Sequence, residues 1–95
     1  MRDTKSGRFP LGRIVATPAA LAALAGAGRD AQSFLERHAT GDWDEMSAED
    51  QASNLWAIEA GGRVFSSYQL TRETKLWVIT EADRSSTCVL LPGDY

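Results

Sequence analysis

The feature that most constrains the fold is a change of hydrophobic period near residue 63. Before it, apolar residues recur at helical spacing between capping residues. After it, three short segments alternate or run apolar, at residues 63–70, 75–80 and 87–91. Strands joined by short connections form an antiparallel meander. Helices that precede a sheet along the chain predict an α+β domain, with helices covering one face of a three- to four-stranded antiparallel sheet.

The N-terminal part of the chain predicts a strand followed by a helix. The strand is expected at residues 13–16. Thr17-Pro18 then has the pattern of an N-cap followed by proline at the first helical position. The alanine-rich segment after it is a strong helix former, with Leu21 and Leu24 on one side of the helix.

Two further helices are predicted by capping residues. Asp30 caps a short helix at residues 31–38 that turns Phe34 and Leu35 inward. Ser47 opens a third helix, which ends at Gly61-Gly62. Its expected core-facing stripe consists of Ala48, Ala52, Leu55 and Ile58 or Glu59. Trp56 is either a core residue or an exposed anchor for a partner, and its position beside Leu55 favours the core.

The chain of 95 residues has room for one domain with a small core. We expect a flexible arm at residues 1–8 and a single domain at residues 9–95. No apolar run reaches the roughly 18 residues of a membrane span, and no apolar region follows the basic start as in a secretory signal. The single cysteine, Cys88, lies within a strand-like run and cannot form an internal disulfide. Together these features predict a cytoplasmic protein.

Charge is unevenly distributed along the chain. The net charge is -3, but residues 1–13 balance to +3 and residues 42–59 to -6, with no lysine or arginine in the latter. Direct nucleic-acid binding needs a concentrated basic surface and is not expected. A partner protein with a basic surface would be steered toward the acidic segment. The predicted contact residues are Asp42, Trp43, Asp44, Glu45, Glu49 and Asp50, with Arg84 as a secondary contact.

Two of these contact residues have a structural alternative. Trp43, set among carboxylates, either folds back onto the small core or is an exposed anchor in the contact surface. Arg84 lies in the polar stretch Glu81–Thr87, which joins two predicted strands and is therefore a hairpin loop. There Asp83 accepts hydrogen bonds from following amides, and Arg84 either pairs with a loop carboxylate or contacts a partner.

The sequence offers little for catalysis. His38 is the only histidine, and its place near a helix C-terminus favours a capping imidazolium over a metal ligand or base. No nucleophile elbow, phosphate-binding loop or dinucleotide fingerprint is present. We therefore expect no enzyme activity, no metal and no cofactor.

The sheet face away from the helices is predicted to be apolar. Phe65, Trp77 and Ile79 alternate onto it, and a second molecule or another part of the chain is expected to cover it. These three residues are the predicted surface for self-association as a homodimer.

Three segments, FPLGRIVATPAALAAL, RHATGDW and LWVITEADRSSTCVLLPGDY, resemble a family of short bacterial proteins carried on plasmids, integrative elements and prophages. Members are called plasmid-related, and some carry a restriction-modification label. A methyltransferase subunit would need a cofactor-binding sheet and glycine fingerprint, for which this chain has no room. The resemblance implies a mobile genetic element as the source.

Two hypotheses follow from these observations. The first is a non-catalytic protein that inhibits a host nucleic-acid-targeting defence complex, of the anti-CRISPR or anti-restriction type, through its acidic surface. The second is a self-associating accessory or structural protein of the plasmid or prophage.

Overall fold

The computed structural model describes residues 7–95, which form four strands, three α-helices and a short C-terminal 3-10 helix. In chain order the elements are β1 (Arg13–Ala16), α1 (Pro18–Ala27), α2 (Ala31–Thr40), α3 (Ala48–Ala60), β2 (Val64–Gln69), β3 (Lys75–Thr80), β4 (Ser86–Leu90) and the 3-10 helix (Pro92–Asp94). The predicted α+β class is confirmed. Most of the predicted flexible arm, residues 1–6, lies outside the described residues. Within residues 7–95, no helix combines the length and apolar character needed to cross a membrane.

The four strands form one mixed sheet in the order β1-β4-β3-β2. The meander β2-β3-β4 is antiparallel as predicted, but β1 pairs with β4 in parallel, so the expectation of a wholly antiparallel sheet is wrong at this edge. The amide of Arg13 donates to the Ser85 carbonyl and that of Thr17 to the Val89 carbonyl, both at 3.0 Å. Because β1 and β4 are distant in sequence, no hairpin fixes the relative direction of the two strands. The parallel direction brings α1 against β4.

The three predicted N-caps are confirmed. Thr17, Asp30 and Ser47 each accept a hydrogen bond from the backbone amide three residues further on, at 3.1 Å in every case. Each cap satisfies an amide that has no partner within its helix. The local chemistry of these short segments therefore sets where the helices begin.

The main core lies between the sheet and helices α1 and α2. Phe34 and Leu35 of α2 face inward as predicted and belong to the same cluster as Tyr68 of β2. In α1, Leu24 is buried but Leu21 is exposed, so the side that the two leucines share is not wholly buried, and Ala20 takes the inward position one turn before Leu24.

Helix α3 packs against the edge of the sheet at β2, and this placement overturns its predicted inner face. The Asn54 side chain donates to the Phe65 carbonyl at 2.6 Å and accepts from the Phe65 amide at 3.0 Å. Asn54 and Ala57 are therefore the buried residues of α3. A helix that packs against an edge strand needs a polar side chain that bonds to the free backbone groups of that strand. The spacing of apolar residues along the helix does not predict this need. The expected inward residues Ala48, Ala52 and Leu55 face outward, whereas Ile58, also expected inward, is half-buried and packs against the cluster that contains Ala57.

Candidate functional site

The acidic loop, residues 42–45, is bound by a guanidinium of the same chain. Arg37 on α2 contacts the carboxylates of Asp42 at 2.9 Å, Asp44 at 3.0 Å and Glu45 at 3.1 Å. Its guanidinium also lies over the ring of Tyr68, 4.4 Å from the ring centroid. The three carboxylates that we expected to face a partner are thus already organised around an internal cation, although they remain solvent-accessible.

Protonation in this cluster follows from the same contacts. The hydrogen bond from Arg37 lowers the pKa of Asp42, and its carboxylate partners raise the pKa of Arg37. The Tyr68 hydroxyl donates to the Asp42 carbonyl at 2.9 Å, and burial raises the pKa of Tyr68 to about 12. Three carboxylates against one guanidinium leave the acidic loop with less free charge than its sequence indicates.

Glu45 has a second structural role at the sheet edge. Its Oε1 accepts a hydrogen bond from the Gln69 amide at 2.7 Å, while Oε2 pairs with Arg37. Together with Asn54, it covers outward-pointing backbone groups of β2. At Phe65 and Gln69, the edge of the sheet is therefore covered by side chains.

Trp43 belongs to the core. It is only 3% exposed and clusters with Phe9, Ala57 and Val64. The alternative of an exposed anchor, which placed Trp43 in the predicted contact surface, is wrong. A small domain gains more by burying an indole than by displaying it, because the ring supplies a large apolar area.

Arg84 is also a structural residue. Its guanidinium donates to the carbonyls of Gly62 at 2.6 Å and Ala57 at 3.1 Å, near the C-terminus of α3, and to loop carbonyls of Glu81 and Ala82. The predicted partner-contact role is not supported, and the expected loop carboxylates are not its hydrogen-bond partners. The hairpin does contain the predicted turn bond, from the Ser85 amide to Asp83 at 3.0 Å. Arg84 fastens the β3–β4 hairpin to the end of α3.

The predicted self-association face is partly covered by the chain itself. Ile79 is only 5% exposed and is not available as a contact residue. Phe65 and Trp77 are half-buried and meet edge to face, with ring centroids 5.0 Å apart. The ring of Tyr95, from the C-terminal segment, lies against Trp77 at 5.9 Å.

A groove of about 420 Å³ opens beside these aromatic rings. Trp77 and Phe65 line it together with Glu45 and Asp50, so it joins residues from both predicted contact surfaces. Lys75 also lines it, so the groove carries both signs of charge.

His38 lies at the centre of a buried polar chain and is fully buried. Its Nε2 contacts the Thr80 hydroxyl at 2.8 Å, Thr80 contacts Thr87 at 2.6 Å, and Thr87 donates to the Leu11 carbonyl at 2.7 Å. Because each hydroxyl has one proton, Thr80 must donate to Thr87 and accept from Nε2–H of His38. Nδ1 then accepts from the Ser66 hydroxyl at 2.5 Å.

The polar chain therefore holds a neutral imidazole of defined tautomer. Burial lowers the pKa of His38 to about 4, so the expected capping imidazolium is wrong. The only cysteine, Cys88, lies on the other face of the sheet, and burial raises the pKa of its thiol. Within residues 7–95, no group of three histidine, cysteine or carboxylate side chains is placed to hold a metal ion.

The surface that the sequence pattern did not indicate is the outward side of α3. Trp56 is 68% exposed and Leu55 is 47% exposed, against the expectation that both pack inward. Ala48 and Ala52 continue the apolar strip along the helix, and the exposed carboxylates of Glu49 and Glu59 flank it. These six residues, Ala48, Glu49, Ala52, Leu55, Trp56 and Glu59, form what we call the α3 outer face. The residue of the sequence that could have indicated this surface was Asn54. Because this polar residue lies on the buried side of α3, Leu55 and Trp56 face away from the core.

Comparison of the chain with protein-family models, with curated proteins and with solved structures finds no match.

Proposed function

We propose that the protein acts without catalysis, by binding a partner protein through the α3 outer face. The observation that carries the proposal is the exposure of Trp56 beside Leu55 on one side of a well-formed helix. A domain that leaves a tryptophan and a neighbouring leucine exposed loses the favourable free energy of burying them. Tryptophan is also the residue most enriched at binding hot spots.

Charge indicates the chemistry of the partner. Glu49 and Glu59 lie on the α3 outer face, and residues 39–62 contain no lysine or arginine. Arg37 offsets only part of the charge in the neighbouring acidic loop. A partner surface that combines basic residues with an apolar pocket would complement this face. Two copies of the α3 outer face would instead repel each other.

The partner class rests on the resemblance to proteins of mobile genetic elements. A basic surface with apolar pockets is typical of proteins that bind nucleic acid, and inhibitors of host defence occupy such surfaces. The proposal is therefore an inhibitor of a nucleic-acid-targeting defence complex, of the anti-CRISPR or anti-restriction type, in the cytoplasm of the host. The alternative, a self-associating accessory protein of the element, stays a prediction. Its predicted surface now reduces to Phe65 and Trp77.

The proposal is tested by comparing the host-lysate proteins that are captured by the wild-type protein and by its surface variants. Trp56→Ala and the pair Glu49→Lys/Glu59→Lys should each lose the captured partner, with Trp56→Ala weakening affinity by roughly 30-fold, the effect of a hot spot worth about 2 kcal/mol. Leu21→Lys, which removes another exposed leucine from α1, is the matched control and should retain it.

The partner must also show the proposed chemistry. Added duplex DNA should displace the wild-type protein from it, because both would compete for one basic surface. Capture that survives Trp56→Ala, or a partner that is indifferent to nucleic acid, would overturn the proposal. Reversal of the acidic loop is a poor test, since it would place new cations against Arg37 and disturb the fold.

A further inference from the structure

The two edges of the sheet are built differently. At β2, Asn54 and Glu45 occupy outward-pointing backbone groups of Phe65 and Gln69. At β1, the amides of Arg13 and Thr17 point to β4. Because alternate residues of a parallel strand bond to the same neighbour, the backbone groups of Ile14 and Ala16 point away from the sheet. Within residues 7–95, no side chain bonds to them. Proteins that do not use an edge for pairing normally block it.

The side chains along β1 fit a strand as a neighbour. Ile14 is 45% exposed and Val15 is 41% exposed, and both are β-branched residues that favour strands. On the helix-covered side, a groove of about 310 Å³ runs beside Ile14 and is lined by Leu11, Leu35 and Ala39 together with the polar side chains of Gln32 and Glu36. A strand added to this edge would therefore find backbone partners and a groove with an apolar part for one side chain.

We propose that a second copy of this chain occupies the β1 edge, by antiparallel pairing of the two β1 strands. The outward-pointing Ile14 of each copy would face its counterpart across the two-fold axis, exchanging both backbone hydrogen bonds. Arg13 would then face Val15 of the other copy. This register directs the second Ile14 side chain toward the groove beside Leu11 and Leu35 and continues the sheet through the dimer to eight strands.

Charge complementarity supports a second copy as the occupant. Arg13 and Val15 point to the sheet face opposite the helices, since they pair with Ser86 and Cys88 in register. On that face Asp94 accepts a hydrogen bond from Thr17 at 2.6 Å, at the end of β1. In the proposed register, Arg13 of one copy lies diagonally across from Thr17 of the other, about 7–8 Å between backbones, a span that an arginine side chain reaches. Each copy would thus offer its guanidinium to the Asp94 carboxylate of the other.

Two kinds of experiment test this interface, and both use the full chain. The wild-type mass, measured by light scattering or sedimentation as concentration rises, should reach twice the monomer mass. Ile14→Lys should stay monomeric because it removes the apolar side chain from both copies and places two ammonium groups opposite each other across the two-fold axis. Leu21→Lys, the matched exposed-leucine control on α1, should still dimerise. Thermal unfolding of each variant checks that the monomeric variant is folded.

Cysteine cross-linking tests the register. In a Cys88→Ser background, the Cα atoms of Ile14→Cys would lie about 5.5 Å apart across the axis, within disulfide reach, and mild oxidation should link the copies. Val15→Cys would lie about 7–8 Å from its counterpart and should link poorly. A wild-type mass that stays monomeric at every concentration overturns the proposal. A dimer that survives Ile14→Lys, or equal cross-linking at both positions, also overturns it. Because Trp56→Ala leaves this edge intact, failure here is separate from failure of the partner-binding proposal.

Discussion

Acid should destabilise this protein through His38, before most of its carboxylates are protonated. The pKa of His38 is about 4 in the folded state, against an ordinary value of 6.5. Above pH 6.5 the imidazole is neutral in both states, and its contribution to stability is complete. Between pH 6.5 and 4 the unfolded chain takes up a proton that the folded chain refuses, so stability falls as pH falls. A difference of this size corresponds to about 3 kcal/mol at 1.36 kcal/mol per pH unit.

The assay is urea unfolding at a series of pH values between 7 and 4, on wild type and His38→Gln. The glutamine amide can donate near the position of Nε2 but does not titrate in this range. The variant will be less stable at pH 7, so the informative quantity is the slope. The wild type should lose about 3 kcal/mol more than the variant over this interval. Carboxylates contribute to both proteins and cancel in the comparison.

A direct measurement can refute the mechanism without any variant. Since the chain has one histidine, its ring signals in a nitrogen-resolved NMR spectrum are unambiguous. They should show the proton on Nε2 and no titration down to about pH 5. An imidazole that titrates near pH 6.5 in the folded protein, or carries its proton on Nδ1, would refute the argument from the polar chain. Parallel unfolding slopes for wild type and variant would refute the linkage.

Three further predictions concern packing and backbone contacts. Both Gly12 and Gly28 have φ of +67°, but only at Gly12 would an added Cβ clash with the Arg84 carbonyl oxygen. Gly12→Ala should therefore cost several-fold more stability than Gly28→Ala, as measured by urea unfolding of both variants. Asn54→Asp should cost about 2 kcal/mol in the same assay, since a carboxylate oxygen then faces the Phe65 carbonyl, and equal stability would refute the edge-capping role. Arg84→Lys should cost about 1–2 kcal/mol, because an ammonium cannot reach carbonyls in both α3 and the hairpin, and a wild-type unfolding midpoint would contradict this.

The parts of the fold that were predictable from sequence are those fixed by local chemistry. Thr17, Asp30 and Ser47 mark helix starts because a side-chain oxygen satisfies an amide only three residues away. The direction of β1 and the inner side of α3 depend on distant partners, namely β4 and the backbone of Phe65. Local periodicity contains no information about either of them.

The candidate site was predictable in composition but not in arrangement. The acidic segment is real, yet Asp42, Asp44 and Glu45 converge on Arg37, the only arginine or lysine between residues 30 and 62. The available indication in the sequence was that Arg37, a single cationic residue, lies five to eight residues before these carboxylates. Trp56 was misplaced because spacing alone cannot tell which side of an edge-packed helix faces solvent.

The two proposals make a joint prediction about valency. The α3 outer face lies at the β2 edge and the proposed dimer contact at the β1 edge, the opposite ends of the sheet. A dimer would therefore carry its two α3 outer faces beyond the far ends of an eight-stranded sheet, whose two β2 strands lie about 34 Å apart at about 4.8 Å per strand, so the outer faces are farther apart than that.

Such spacing favours partners with two basic sites, because binding at the second site becomes intramolecular. Ile14→Lys should then weaken binding to an immobilised, dense partner surface by 10-fold or more, while its affinity for the isolated partner in solution stays unchanged. Trp56→Ala should weaken both. Surface plasmon resonance at high and low partner density separates these outcomes. Equal affinity of wild type and Ile14→Lys at both densities would show that dimerisation, if it occurs, does not serve partner binding.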